Sequence, residues 1–309
     1  VSGHLALDVG GSHIACARVV DGRIEQRVHI PISSTERFLP LLPRLGTVLE
    51  ELRGTCAVTG VAMAFPGLIE PRSGRILSTP AGKYEDAVGH DFDGWFCDRL
   101  GLPARIEVDG RMALLGERAF GALQGEDDAV LFGIGTGIGS AAIMGGTIVR
   151  GHRGQASVLG GHCSIDAAGP PCRCGNIGCA EAVASSWALP RLIAALPTPG
   201  ALHDTPEPDL KTVFDLARSG DTGAAIVRDI CLKTWAAAAL NLAHAYDAAC
   251  VVITGGAAEA SEVVPFIAEH VRRHAWAIGD APSVVRGALG ADAALLGAAP
   301  LWESDRDSV

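Results

Sequence analysis

Aromatic residues are scarce, 5% of the 309-residue chain, so the 48% that is hydrophobic rests mostly on Ala, Val and Leu. None of that apolar material runs for ~18 residues without a polar or charged break, which excludes a membrane-spanning helix. Basic residues are in deficit: 25 Lys+Arg against 35 Asp+Glu leave a net charge of −10. Phosphate neutralisation needs clustered Lys and Arg, and no such run occurs, so no nucleic-acid partner is expected. The start, Val1-Ser2-Gly3-His4-Leu5, has no basic stretch followed by a long apolar one. A secretory leader is therefore not expected, and the chain is read as cytoplasmic. Two phosphate-binding signatures are missing as well. No Gly-x-Gly-x-x-Gly opens a helix, which disfavours a Rossmann dinucleotide site, and no Gly-x-x-x-x-Gly-Lys-Ser/Thr occurs, which excludes a Walker-type loop. Only Pro197 to Pro208 and the tail from Glu303 read as disordered.

Glycine, by contrast, is abundant at 39 residues, and its placement is informative. Leu5 to Val19, centred on Asp8-Val9-Gly10-Gly11-Ser12, reads as strand, glycine turn, strand. Asp21-Gly22 then signals a hairpin into a third strand near Ile24 to Ile30. Ala129 to Gly146 repeats the layout around Gly135-Thr136-Gly137-Ile138-Gly139. The length exceeds one ordinary domain. The repeat suggests a duplicated lobe with one glycine turn in each, two unrelated hairpins being the plainer alternative. Backbone N–H groups at such turns form an anion nest, and missing side chains let phosphate oxygens approach. Asp8, at the end of its strand, is placed to hold a metal ion directly or through water. Helical spacing marks Phe38 to Leu52, Gly110 to Leu123 with Asp109 at the N-cap, Ile226 to Tyr246, and Ser261 to Arg273. Ala57 to Phe65, closed by Pro66-Gly67, and Ala248 to Ile253, closed by Thr254-Gly255-Gly256, read as buried strands. The alternation predicts an α/β chain with mixed sheets.

There are nine cysteines, an odd count that does not suggest a disulfide framework. Six read as small buried hydrophobes: Cys16, Cys56, Cys97, Cys163, Cys231 and Cys250. Three are clustered in Cys172-Arg173-Cys174-Gly175-Asn176-Ile177-Gly178-Cys179. Gly175 and Gly178 permit the positive-φ turns that let three sulfurs converge. Free thiolates this close repel unless a cation holds them. Zinc needs four ligands, and the nearest upstream candidate for the fourth is His162, with Cys163 a rival. A filled shell leaves no open position, so the expected zinc is structural.

Taken together, Asp8-Val9-Gly10-Gly11-Ser12, Gly135-Thr136-Gly137-Ile138-Gly139, the cysteine motif running into Ala180-Glu181 with its upstream Gly161-His162, and Ile253-Thr254-Gly255-Gly256 resemble the ROK family of repressors, open reading frames and sugar kinases. The likeness runs from about Leu5 to Ala299, and the cysteine motif is its most specific part. It implies a two-lobed, actin-like (hexokinase/ribonuclease H-like) α/β ATPase fold with a structural zinc loop. The small lobe is expected at 1–108 plus a last helix at about 293–303, and the large lobe at 109–292, with a cleft that closes on substrate. It implies an ATP-dependent sugar kinase using ATP with Mg²⁺, a structural Zn²⁺ and a small sugar or polyol substrate; family members are often homodimers. Asp8, Gly10, Gly11 and Ser12 would handle phosphate and Mg²⁺; Gly135, Thr136 and Gly137 would cradle the nucleotide phosphates; Gly255 and Gly256 would lie beside adenosine. Asp109 would be the catalytic base, and Gly67, Asp109, His162 and Glu181 would meet the sugar. His162, Cys172, Cys174 and Cys179 would bind zinc.

Two family positions depart from the pattern. Val108 stands where an Asn precedes the base. The segment Gly154 to His162 carries Val158 in place of a Glu, with one extra glycine before His162. A site built to bond hydroxyls rejects ligands that leave its groups unpaired by roughly 10⁴, so the substrate should present fewer or different hydroxyls there than glucose does. A deoxy-, amino- or cyclitol-type relative follows. Lys83, Glu85, His90 and Arg111 are further polar groups expected near the cleft. Three other readings stand beside the kinase. A repressor needs a helix-turn-helix, for which a first strand at Leu5 leaves no room. A non-catalytic sugar-binding scaffold has no use for both a base and a phosphate clamp. A nucleic-acid zinc knuckle needs flanking basic or aromatic residues that are missing.

Overall fold

The computed structural model describes residues 3–303 apart from Ser34, Ala81 and Pro199; the tail beyond Glu303 lies outside the described residues. The chain divides into two compact units, Val1–Gly125 with Thr147–Ala156 and Ala291–Val309, and Glu126–Gly146 with Ser157–Gly290. Among the described residues no helix is long and apolar enough to cross a membrane.

In the first unit, β1 (Gly3–Val9), β2 (His13–Val20), β3 (Arg23–Pro31), β4 (Val58–Phe65) and β7 (Ala104–Val108) form one sheet in the order β3-β2-β1-β4-β7. β1 and β4 are apolar on both faces and central, as buried parallel strands are. β3 alternates charges outward and takes the edge. Asp21 at φ 46° and Gly22 at φ 71° make the hairpin turn. A small ribbon, β5 (Leu68–Ile69) and β6 (Ile76–Ser78), follows β4. Helix α1 covers Leu42–Arg53 rather than starting at Phe38, because Pro40 and Pro43 hold a 3₁₀ turn ahead of it. α2 (Phe92–Leu100) connects onward to β7.

α3 spans Asp109–Phe120, and two expectations need correcting here. Its N-cap is Val108, and Asp109 is the first helical residue; the Asp109 Oδ1 accepts the N–H of Gly110 at 2.7 Å instead of capping the next turn. The helix also belongs to the first unit, as does Thr147–Ala156, not to the unit that follows. Backbone contact explains this. A Cβ at Gly116 would overlap the Ala293 carbonyl oxygen, and one at Gly297 would overlap that of Met112. Two glycines thus seat α3 against the C-terminal segment, which Gly297 splits into Ala293–Leu296 and Ala298–Glu303. Gly116→Ala is expected to lose about 1–3 kcal/mol or more of stability, since the obstacle is backbone that cannot rotate away. Urea melts of the two proteins check this; equal midpoints would sink it.

In the second unit, β8 (Ala129–Ile134) pairs antiparallel with β9 (Ile138–Met144), and parallel with Cys250–Thr254, which pairs parallel with Ser283–Arg286. This is the layout of β2, β1, β4 and β7, so the repeated glycine hairpin marks a repeated sheet. The Ala-rich helix runs Thr222–Tyr246, longer than its apolar spacing suggests because Asp221 caps it through the Ala224 N–H at 2.7 Å. Its Trp235 is fully buried and donates to the Ala184 carbonyl at 2.7 Å. The last helix of this unit is Val263–His274. The stretch from Pro197, read as disordered, holds a helical turn at Ala201–Asp204. Cys16, Cys231 and Cys250 are buried as expected, whereas Cys56, Cys97 and Cys163 are exposed.

Candidate active site

The first unit gathers its site groups at the carboxyl ends of parallel strands, where α/β sheets place ligands. Asp8 on β1 is level with Ala64 on β4, and Ala64 with Glu107 on β7. Asp8 and Asp109 therefore emerge at one end of the sheet with a single strand between them. Burial pushes the Asp8 pKa up to about 7, and the Asp109 charge adds to the shift. Asp109 itself touches water, yet the protein around it excludes enough solvent to raise its pKa above the ordinary aspartate value, the Gly110 N–H pulling the other way. A cation beside this pair would relieve both costs.

The turn after Asp8 is braced from below. The Gly10 carbonyl accepts the Tyr84 hydroxyl at 2.8 Å, and Gly10 N–H donates to the His13 carbonyl at 3.0 Å. Tyr84 is buried against Phe38 and Phe65, and holds the left-handed region at φ 59°. Of the four polar groups expected near the cleft, Arg111 is buried, bonding Glu107 at 3.2 Å and the Ala156 carbonyl at 2.7 Å. Lys83 donates to the Ser33 carbonyl at 2.6 Å, Glu85 accepts from Gly82 N–H at 3.0 Å, and His90 packs its ring on Phe92. Arg111 is thus held inside the first unit. Val108 is buried, and Gly67 sits at φ 153° with no room for a Cβ beside the Ser78 carbonyl.

In the second unit the glycines sort into two kinds. A Cβ at Gly137 would lie 2.5 Å from Glu181 Oε2, so that carboxylate would have to move, and Gly255 is required by packing, since at φ 85° it has the Ile134 carbonyl in the way. Gly135 and Gly256 are not; a Cβ at either would meet nothing within 4 Å, and the same holds for Gly11 of the first unit. Folding gives no reason for these three to lack side chains. Bare backbone facing open space is what an approaching phosphate or base requires. Thr136, between two of these glycines, is exposed.

The turn Gly135–Gly137 is held by the segment after the cysteines. Ser186 donates to the Gly135 carbonyl through N–H at 3.2 Å and Oγ at 2.9 Å. Glu181 Oε2 accepts Ile138 N–H at 2.8 Å, and its Oε1 accepts Trp187 Nε1–H at 3.2 Å. The turn ahead of His162 lies on β9, where Cβ atoms at Gly160 and Gly161 would collide with Ser140 and with the Ile138 carbonyl. The extra glycine is thus a packing requirement. Ser157 stands at φ 67°, a glycine-like shape just before Val158.

The ligand atoms of His162, Cys172, Cys174 and Cys179 all lie within 4.8 Å of one another, a group that could hold a metal ion. Gly175 at φ 90° and Gly178 at φ 64° make the turns that bring them together. Cys163 is exposed and stands outside the group.

The sequence matches the ROK family profile over residues 4–305. The chain belongs to the ROK family. It is 29% identical to a glucokinase of Thermotoga maritima over 96% of each chain. It is 32% identical to an N-acetylmannosamine kinase of Citrobacter koseri, over 98% of this chain and 99% of that one. The solved structure of a ROK family glucokinase from Streptomyces griseus in complex with glucose and AMPPNP shares its fold with a TM-score of 0.79, at 27% identity, over 97% of this chain and 99% of that one. The fold is thus the α/β fold of ROK sugar kinases.

Sequence motifs alone missed the braces of the two glycine turns, Tyr84 in the first unit and Ser186 and Trp187 in the second, and the buried Glu107–Arg111 pair at the root of α3. A carbonyl acceptor leaves no sequence signature. The Glu107–Arg111 pair leaves none either, because Glu107 lies on β7 and Arg111 in the first turn of α3, so the turn between strand and helix brings them together rather than a helical repeat.

Proposed function

We propose that this chain, as an ATP-dependent sugar kinase, transfers the γ-phosphoryl group of ATP to a hydroxyl of a hexose-like sugar or sugar analogue, with Asp109 as general base. The observation that carries this reading is the Asp8–Asp109 carboxylate pair at one end of the first sheet; family membership and three open glycines add support. Asp109 accepts the hydroxyl proton as the oxygen attacks phosphorus, and its raised pKa suits a base. Asp8 would hold Mg²⁺, directly or through water, and Mg²⁺ neutralises charge on the phosphates. Gly11 and Ser12, then Thr136 and Gly137, present N–H groups to phosphate, while Gly10 and Gly135 use theirs to close the two turns on the His13 and Gly137 carbonyls and, lacking side chains, let phosphate approach; Gly255 and Gly256 lie beside the adenosine. Gly67, His162 and Glu181 are the further sugar contacts.

The cysteine group fits zinc. Ligand distances of 2.3 Å for sulfur and 2.0–2.1 Å for nitrogen at tetrahedral angles put sulfurs about 3.8 Å apart, and sulfur and nitrogen about 3.6 Å apart. Cys174 and Cys179 sulfurs are 3.7 Å apart, and Cys172 sulfur is 3.6 Å from His162 Nδ1. With Nδ1 turned to the metal, His162 keeps Nε2–H as a donor for the sugar.

Val108 and Val158 support a second reading, a kinase for a deoxy-, amino-sugar or cyclitol. A panel of glucose, mannose, N-acetylmannosamine, 2-deoxyglucose, glucosamine and inositol, assayed for ADP release, tests both. The expected result is a kcat/KM on one modified ligand well above that on glucose. Fast turnover of glucose at low KM would reject the altered specificity. No turnover on any ligand would reject the kinase in favour of a binding or regulatory member.

A further inference from the structure

Trp187 stands where three parts of the second unit meet. Its ring packs against Cys172, Cys179 and Ala182. On that ring lies the Arg173 guanidinium, 4.6 Å from the centroid, contributed by the cysteine loop itself. Its Nε1–H donates to Glu181 Oε1 at 3.2 Å, and the other oxygen of the same carboxylate accepts Ile138 N–H at 2.8 Å. Its own backbone N–H reaches the Thr136 carbonyl at 3.4 Å. One side chain therefore joins the cysteine loop, the carboxylate of Glu181 and the glycine turn.

The contacts have a direction. A carboxylate has two oxygens on one rigid plane, so a donor fixed on Oε1 sets where Oε2 points. Oε2 lies where a Gly137 side chain would go and holds the first N–H of β9. Trp187 is itself fixed by packing and by Arg173, so it can impose that orientation, whereas a mobile donor could not. Charge-assisted bonds of this kind are the stronger sort.

We propose that Trp187 is a positioning residue that locks Glu181 across the Gly135–Ile138 turn, so that the side chain facing the sugar and the backbone facing the nucleotide are set by one indole. The nucleotide half of this inference rests on the phosphate-binding reading of Gly135–Gly137; the local half does not. Glu181 meeting a sugar hydroxyl then tightens the turn, and nucleotide tightens the hold on sugar, because such coupling is reciprocal.

Trp187→Phe tests it, keeping a ring for Arg173 and the cysteines while deleting the N–H. Amide hydrogen exchange of Ile138 is measured by NMR on the full chain, alongside KM for ATP and kcat with the best ligand of the panel. The expected result is Ile138 exchange faster by about tenfold or more, the worth of a hydrogen bond to a charged acceptor, with KM for ATP raised by a similar factor and kcat within severalfold of the parent. Amides of β8 and of helix Thr222–Tyr246 report whether the unit stays folded. If those are disturbed, Trp187→Tyr, which keeps a polar ring without the indole geometry, is read in the same way. Unchanged Ile138 exchange in a folded variant overturns the inference, and so does faster exchange with an unchanged KM for ATP. A parent with no turnover on any ligand rejects the kinase reading instead, and Ile138 exchange still decides the lock.

Discussion

Asp109→Asn is expected to lower kcat by about 10²–10⁴-fold, the range a positioned general base supplies, while the affinities for ATP and sugar stay within severalfold of the parent. The substitution is a clean one. Asparagine keeps an Oδ1 to accept the Gly110 N–H that Asp109 accepts at 2.7 Å, and it occupies the first turn of α3 with the same shape. What it loses is the ability to take a proton. In the parent, kcat/KM should fall as pH drops through a pKa above the ordinary aspartate value, because burial raises the Asp109 pKa and the active form is the deprotonated one. Steady-state kinetics across pH, with binding of Mg–AMPPNP by calorimetry, check both parts. Turnover in the asparagine variant within tenfold of the parent would remove Asp109 from the base role; loss of both affinities together would make it a structural residue.

How far the sequence could be read depended on what kind of force fixed each feature. The glycine hairpins, the parallel strands and the cysteine loop were legible because each follows from backbone conformation: positive φ at Gly175 and Gly178, two-residue turns, apolar runs. Asp8 could be placed because it closes an apolar strand, and Asp109 because it opens a helix. Boundaries were not, where a local bond outvoted periodicity, as Asp221 does in starting its helix early and Pro43 in starting α1 late. The seat of α3 was hidden because Gly116 and Gly297 meet across the fold, and a glycine packed against a carbonyl looks in sequence like any other. The site braces were hidden for the same reason. Nothing local in Ser-Trp at 186–187 announces that both residues support a turn some fifty positions earlier. Arg111 shows the converse error: a charged residue next to a catalytic candidate invites a functional reading, and full burial against carbonyls assigns it to the frame.

Cys174→Ser is expected to cause a large loss of stability and of bound zinc, and the size of the effect is diagnostic because Cys174 is exposed. A surface thiol with no metal to hold would tolerate serine within about 0.5 kcal/mol. A ligand in a closed tetrahedral site would not, since structural zinc carries an apparent ~10–16 kcal/mol of binding free energy in small metal-folded peptides. Cys163→Ser is the matched control: exposed, one residue from His162, outside the ligand group, and expected to be near neutral. Metal content by mass spectrometry should read one zinc per parent chain, one in the Cys163 variant and little in the Cys174 variant. The damage should also travel a defined route. The cysteine loop holds Arg173 over Trp187, and Trp187 holds Glu181 against Ile138. Removing the ion with a chelator should therefore accelerate exchange at the Ile138 amide as Trp187→Phe does, and adding both changes together should exceed either by little, because they act through one contact. Additive effects would show that the metal loop and the indole support the turn independently, and an unchanged melt after complete zinc removal would show that the four side chains converge without a structural ion.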